Sequence, residues 1–148
     1  MQIQTKFFGV VEIDANMILN FSQGIPGFKD IHQYIILQHS DNSPFLVMQA
    51  LESPHLAFFI VKMNDILPEY SIEISDEMTE ELDIKEPREV TFYVIASIPG
   101  DVVTATVNLA APLLINGRAK TGRQIILNNP AYSIRHPLFT PQPESAVK

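Results

Sequence analysis

Two glycine-bracketed stretches have spacings that could hold phosphate. The first is "GIPG", Gly24 to Gly27, inside "FSQGIPGFKD". A G-x-x-G loop clamps an RNA backbone in one recognition module, where it lies between helices. Here the flanks read as strand and, over Lys29–Gln33, a short helical turn, and no basic residue lies between the glycines. Pro26 has a fixed φ and no N–H to give a phosphate. Pro26-Gly27 instead suits the centre of a type II turn, where glycine supplies the positive φ. Ile25 and Phe28 then anchor the turn to the core. The second stretch is "GRAKTGRQ", residues 117–124. It begins as a nucleotide-binding P-loop but has Arg123-Gln124 where Lys-Ser/Thr are needed, and the next residues read as a strand, not a helix.

The remaining reactive residue types do not assemble a catalyst. The four histidines, His32, His39, His55 and His136, include no pair at metal-ligand spacing. Cysteine is absent, which removes thiol catalysis, disulfides and thiolate metal ligation. No G-x-S-x-G elbow presents a serine. No metal, cofactor or catalytic residue is therefore expected. Two alternatives stay open: a small enzyme using paired carboxylates on a β-barrel, and a nucleic-acid binder acting through Arg118, Lys120 and Arg123.

The net charge of −7 opposes the second alternative, because lysine and arginine supply most affinity for phosphate backbones. The charge is also unevenly placed. Ten of the 17 acids fall in residues 65–89, offset only by Lys85 and Arg88. Such a band is either a solvated face or a docking surface for a basic protein. No apolar run approaches the ~18–20 residues that span a bilayer. The start, "MQIQTKFFGVVEID", lacks the pattern of a signal peptide, so a cytoplasmic protein is expected.

The elements that must position these residues are mostly strands. Runs rich in Ile, Val, Phe, Thr and Tyr, separated by turn residues, predict strands at 2–8, 9–13, 17–21, 33–39, 45–51, 56–62, 89–97, 102–109, 112–116 and 123–128. In "VTFYVIAS" Val90, Phe92, Val94 and Ala96 share one face. The opposite face, with Tyr93 and Ile95, is also fairly apolar, so both sides of this strand should be covered. Pro99-Gly100-Asp101 predicts a hairpin connection, and Asn116-Gly117 another. One short helix is expected in the acidic band, capped by Ser75 and docked through Met78 and Leu82, with Glu77, Glu80, Glu81 and Asp83 pointing outward. Phe45, Phe58, Phe59, Phe92 and Tyr93 read as core rather than stacking platforms, since no basic groove accompanies them. Together these predict a mainly β fold, a single-domain antiparallel β-barrel with one or two short helices, over residues 1–140. Residues 141–148, polar and proline-rich, are expected to be a disordered tail.

Several segments together resemble the flagellar assembly factor FliW family: "FSQGIPGF" at 21–28, "NSPF" at 42–45, "SPHLAF" at 53–58, "NLAAPLLIN" at 108–116, "GRQIILN" at 122–128 and "RHPL" at 135–138. Their order and spacing cover nearly the whole chain. The resemblance implies a non-catalytic binding protein. Its partners would be newly made flagellin and CsrA, a small RNA-binding dimer that represses flagellin translation. Flagellin and CsrA would exchange on it as a partner switch. Under this reading Glu69, Glu73, Asp76, Glu77, Glu80 and Glu81 are the candidate CsrA face, because a repressor that binds RNA must carry positive surface. Ile98, Val102 and Val103 are the candidate flagellin contacts. No direct contact with nucleic acid or membrane is expected.

Overall fold

Thr5 ends the first predicted strand early. Its Oγ1 accepts from the Phe8 amide at 2.9 Å and donates to the Gly9 carbonyl at 2.7 Å. Lys6–Phe8 therefore turn, and Gly9 takes a φ of +67°, the left-handed position that closes a three-residue hairpin loop. The result is a two-stranded hairpin of β1 (Gln2–Thr5) and β2 (Gly9–Glu12). The computed structural model describes residues 1–38, 43–69 and 72–139; the expected tail lies outside them.

The rest of the sheet follows in chain order: β3 (Leu19–Asn20), β4 (Gln33–Gln38), β5 (Leu46–Ala50), β6 (Ala57–Lys62), β7 (Val90–Ser97), β8 (Thr106–Val107), β9 (Leu113–Asn116), β10 (Thr121–Gln124) and β11 (His136–Pro137). β3, β4, β5, β6, β7, β9 and β10 pair in that order, and β10 returns to β3, closing a seven-stranded barrel. Every pair is antiparallel except β3–β10. The expected antiparallel barrel thus becomes mixed, and arithmetic requires it: a closed ring with an odd number of strands cannot alternate direction all the way round. The second edge of β7 is shared. β9 takes residues 90–93, while β8, with β11 beyond it, takes Ala96 and Ser97.

Both faces of β7 are covered, as its residue pattern requires. Tyr93 and Ile95 pack into the barrel interior around Phe21, Ile25, Tyr34, Met48, Ile60, Leu113 and Ile115. Val94 and Ala96 face outward into a second core with Phe45, Val61, Met63 and Leu109. β8, α1 (Met63–Ile66) and the segment through Leu127, Tyr132 and Leu138 supply the other side of that layer. Closing the barrel removes most exposed strand edges.

"GIPG" is a turn. The Phe28 amide donates to the Ile25 carbonyl at 2.6 Å, Gly27 has φ +91°, and Ile25 is buried. Gly24 (φ +66°) lies so close to the next turn that a Cβ would sit 2.7 Å from the Lys29 Cα. No helix forms at Lys29–Gln33, because β4 begins at Gln33 and pairs with β3 and β5. The strand predicted at 123–128 is also displaced. β10 spans Thr121–Gln124, set by its pairing with β9. Residues 102–104 of the predicted eighth strand form a 3-10 turn instead.

Candidate protein-binding surfaces

The acidic band folds as sequence chemistry requires at its start. Ser75 Oγ caps α2 (Asp76–Glu81) by accepting from the Met78 amide at 3.2 Å. Asp76 and Glu77 occupy the first turn, where the helix dipole favours anions. Leu82 is buried and Met78 half-buried, so the helix is docked by the predicted pair.

Its C-terminal end is held by the β9–β10 hairpin, which sequence reasoning missed. Asn116 is fully buried, and its Nδ2 donates to the Leu82 and Asp83 carbonyls at 2.9 and 3.2 Å. Its Oδ1 accepts from the Arg118 and Ala119 amides at 3.0 and 3.1 Å. Thr121 Oγ1 donates to the Leu82 carbonyl as well, at 2.8 Å. These side chains satisfy carbonyls that a helix end leaves open. "NG" thus marks the right hairpin for a different reason than a two-residue turn. Gly117 is not at positive φ; Lys120 is, at +60°.

Charge chemistry reinforces the clamp. Arg118 bonds Glu89 at 2.8 Å and Asp83 at 3.1 Å. The Arg118 hydrogen bond, then the Lys85 charge, holds the Asp83 carboxyl below its ordinary range. Glu89 is lowered first by the Lys85 amide and then by Arg118. Arg123 pairs with Glu81, which also accepts from Ser22 and Gln23. Glu81 was expected to point outward. Instead its side chain is only 16% exposed and bound to the barrel. Asp83 stays exposed but is likewise engaged. Among the described residues no cation pairs with Glu69, Glu73, Asp76, Glu77 or Glu80, all exposed. Five of the six candidate carboxylates therefore remain as an unneutralised surface, and the sixth fastens it.

The same contacts weaken the nucleic-acid alternative. Two of the three cations offered for nucleic acid, Arg118 and Arg123, are committed to carboxylates. Among the described residues the carboxyls displaced from the ordinary range are Glu52, Asp83 and Glu89, and all three are pushed down. Glu52 is lowered by the amides of Gln33 and His32, which it accepts at 2.8 and 2.6 Å. No three His, Asp or Glu side chains gather at metal-binding distance among the described residues. No helix there is long and apolar enough to cross a membrane.

The second surface is apolar. A groove of about 450 Å³ opens on the outer layer, and Pro44, Phe45, Phe59, Ile98, Val102 and Phe139 are among its lining residues. Ile98 is half-buried and Val102 is 48% exposed. Val103 is more exposed, at 66%, on the same 3-10 turn, but does not line the groove. Phe45 and Phe59 belong to the outer core, as expected, and also form groove wall. Sequence gave no signal for Phe139, which reaches the groove only because β11 pairs with β8 just before it.

The sequence model of the FliW protein family matches residues 2–138. A flagellar assembly factor FliW from Geobacillus kaustophilus is 38% identical over 148 residues, covering 100% of both chains. One from Thermoanaerobacter pseudethanolicus is 37% identical over 140 residues, covering 94% of this chain and 93% of that protein. A crystal structure of the flagellar assembly factor FliW superposes with a TM-score of 0.84 at 36% identity, over 95% of this chain and 98% of the other.

Proposed function

The chain belongs to the FliW family, and on that premise we propose that it is a non-catalytic cytoplasmic assembly factor that binds flagellin and antagonises CsrA by exchanging one for the other. The observation that supports this most is the acidic helix. It is clamped at its C-terminal end, and its outward carboxylates Asp76, Glu77 and Glu80, like Glu69 and Glu73 in the segment before it, have no cation of their own among the described residues. A pre-positioned anionic face suits a protein whose own surface must attract RNA phosphate. Once docked, its charge disfavours an approaching phosphate chain even where it does not cover the RNA site. Flagellin, whose terminal segments are amphipathic, takes the groove bordered by Ile98 and Val102 in a helix-in-groove mode. Val103 lies on the rim of that contact.

Reversing two outward charges tests the acidic face. Glu77→Lys with Glu80→Lys should slow CsrA association on the order of tenfold or more at low ionic strength, with the difference shrinking as salt is added. Equal affinity of the double variant and the parent at low salt would place the CsrA contact elsewhere. Val102→Asp should weaken flagellin capture and leave CsrA binding intact.

A further inference from the structure

The β1–β2 hairpin tip is held by hydrogen bonds on two sides. Gln49 is fully buried and acts as a bracket. Its Nε2 donates to the carbonyls of Ala50, Pro54 and Leu56, and its Oε1 accepts from the Lys6 amide at 2.9 Å. The Thr5 hydroxyl fixes the other side of the turn. Phe7 then stacks on Phe59, centroids 5.0 Å apart and planes 25° apart, yet stays 44% exposed. Phe59 meets Phe45 edge-on at 6.1 Å, so the wall of the groove runs without a break into the ring of Phe7. The Lys6 ammonium lies 5.4 Å from that ring. In a chain with 17 acids and 10 bases, Lys6 has no carboxylate partner among the described residues.

We infer that Lys6 and Phe7 are the specificity-determining edge of this groove, selecting a partner segment whose apolar stripe is flanked by a carboxylate. The inference rests on reading the groove as the seat of flagellin. The ring of Phe7 lengthens the apolar track that an amphipathic helix can cover. The ammonium beside it meets a charge at the border of that stripe. Next to an apolar surface such a pair is less screened than one in open water. A segment with lysine at the same place meets a like charge and is disfavoured.

The test measures binding of monomeric flagellin from the same organism to the full chain and four variants, at low and high salt. Urea unfolding of each variant checks folding. Val102→Asp reports on the groove itself. Lys6→Glu should weaken flagellin on the order of tenfold at low salt, with most of the effect lost at high salt. Lys29→Glu, an equal reversal on the turn that follows Pro26-Gly27, should change little. Phe7→Ala should weaken binding on the order of tenfold at both salts. If Val102→Asp weakens flagellin while Lys6→Glu and Phe7→Ala bind like the parent, the inference is overturned and the groove reading stands. If Val102→Asp also binds like the parent, the groove reading falls and takes the inference with it. If Phe7→Ala fails to fold, Lys6→Glu against Lys29→Glu decides.

Discussion

Replacing Asn116 with alanine should separate the acidic helix from the hairpin that holds it. The side chain makes four hydrogen bonds, two as donor to Leu82 and Asp83 and two as acceptor from Arg118 and Ala119. The two carbonyls keep second donors, Thr121 Oγ1 and Arg118 Nη2. The two amides have no other acceptor among the described residues. Each partly covered, unpaired donor costs about 1–2 kcal/mol, so the loss should be about 2–4 kcal/mol. With a urea slope of about 2 kcal/mol per molar for a chain of this size, the unfolding midpoint should fall by about 1–2 M at unchanged slope. Amide exchange at Arg118 and Ala119 should accelerate by the same reasoning. A midpoint shift below about 0.3 M, with those amides still protected, would refute the assignment of Asn116 as the clamp.

Three further perturbations test other parts of the account. Gly24→Ala places its Cβ against Lys29 backbone at positive φ, whereas Gly27→Ala meets nothing within 4 Å and bears only the φ penalty. The first should cost about 3 kcal/mol or more and the second about 1 kcal/mol by chemical denaturation; equal costs would contradict the close approach. The Tyr34 hydroxyl is buried without a partner among the described residues, and burial, then the Glu52 charge, pushes its pKa up to about 12. Tyr34→Phe should therefore be neutral or raise the melting temperature by a few degrees, up to about 1 kcal/mol, and a fall of several degrees would reveal a partner. Glu52 has a folded pKa below its ordinary 4.5, so its contribution is present above that value and lost as pH falls through the folded pKa. The stability gap between the parent and Glu52→Gln should hold from pH 7 to 5 and close below about 4; a gap that widened on acidification would reverse the assignment.

Strand content was legible because period-2 patterning and turn residues are local signals. "VTFYVIAS" announced both of its covered faces, and Pro26-Gly27 announced its turn. Ser75 and the Met78–Leu82 pair announced α2. What stayed hidden depends on contacts distant in sequence. Glu81 and Arg123 are 42 residues apart, and Asn116 and Leu82 are 34 apart. Nothing in either neighbourhood shows that one side chain will bury against the other. For the same reason an outward acid could not be told from a fastening one. The parallel β3–β10 pair was likewise not local, since it follows from counting strands in a ring whose closure was not yet known. The brevity of α1, four residues set by Met63 docking in the outer core, left it below any periodicity signal.

The acidic face and the apolar groove are built from different elements, α2 with its flanks for one and the β4–β5 and β7–β8 connections with Phe139 for the other. A partner switch therefore requires that occupation of one be felt at the other, or that the two partners collide once bound. The most direct test is a three-component titration. A complex of this chain with CsrA from the same organism is formed, and monomeric flagellin is added while masses are followed by size-exclusion chromatography with light scattering. The account predicts that CsrA leaves as a flagellin complex appears, in proportion to the flagellin added. A stable ternary complex would contradict exclusive exchange, and failure to bind either partner would contradict the proposed function itself.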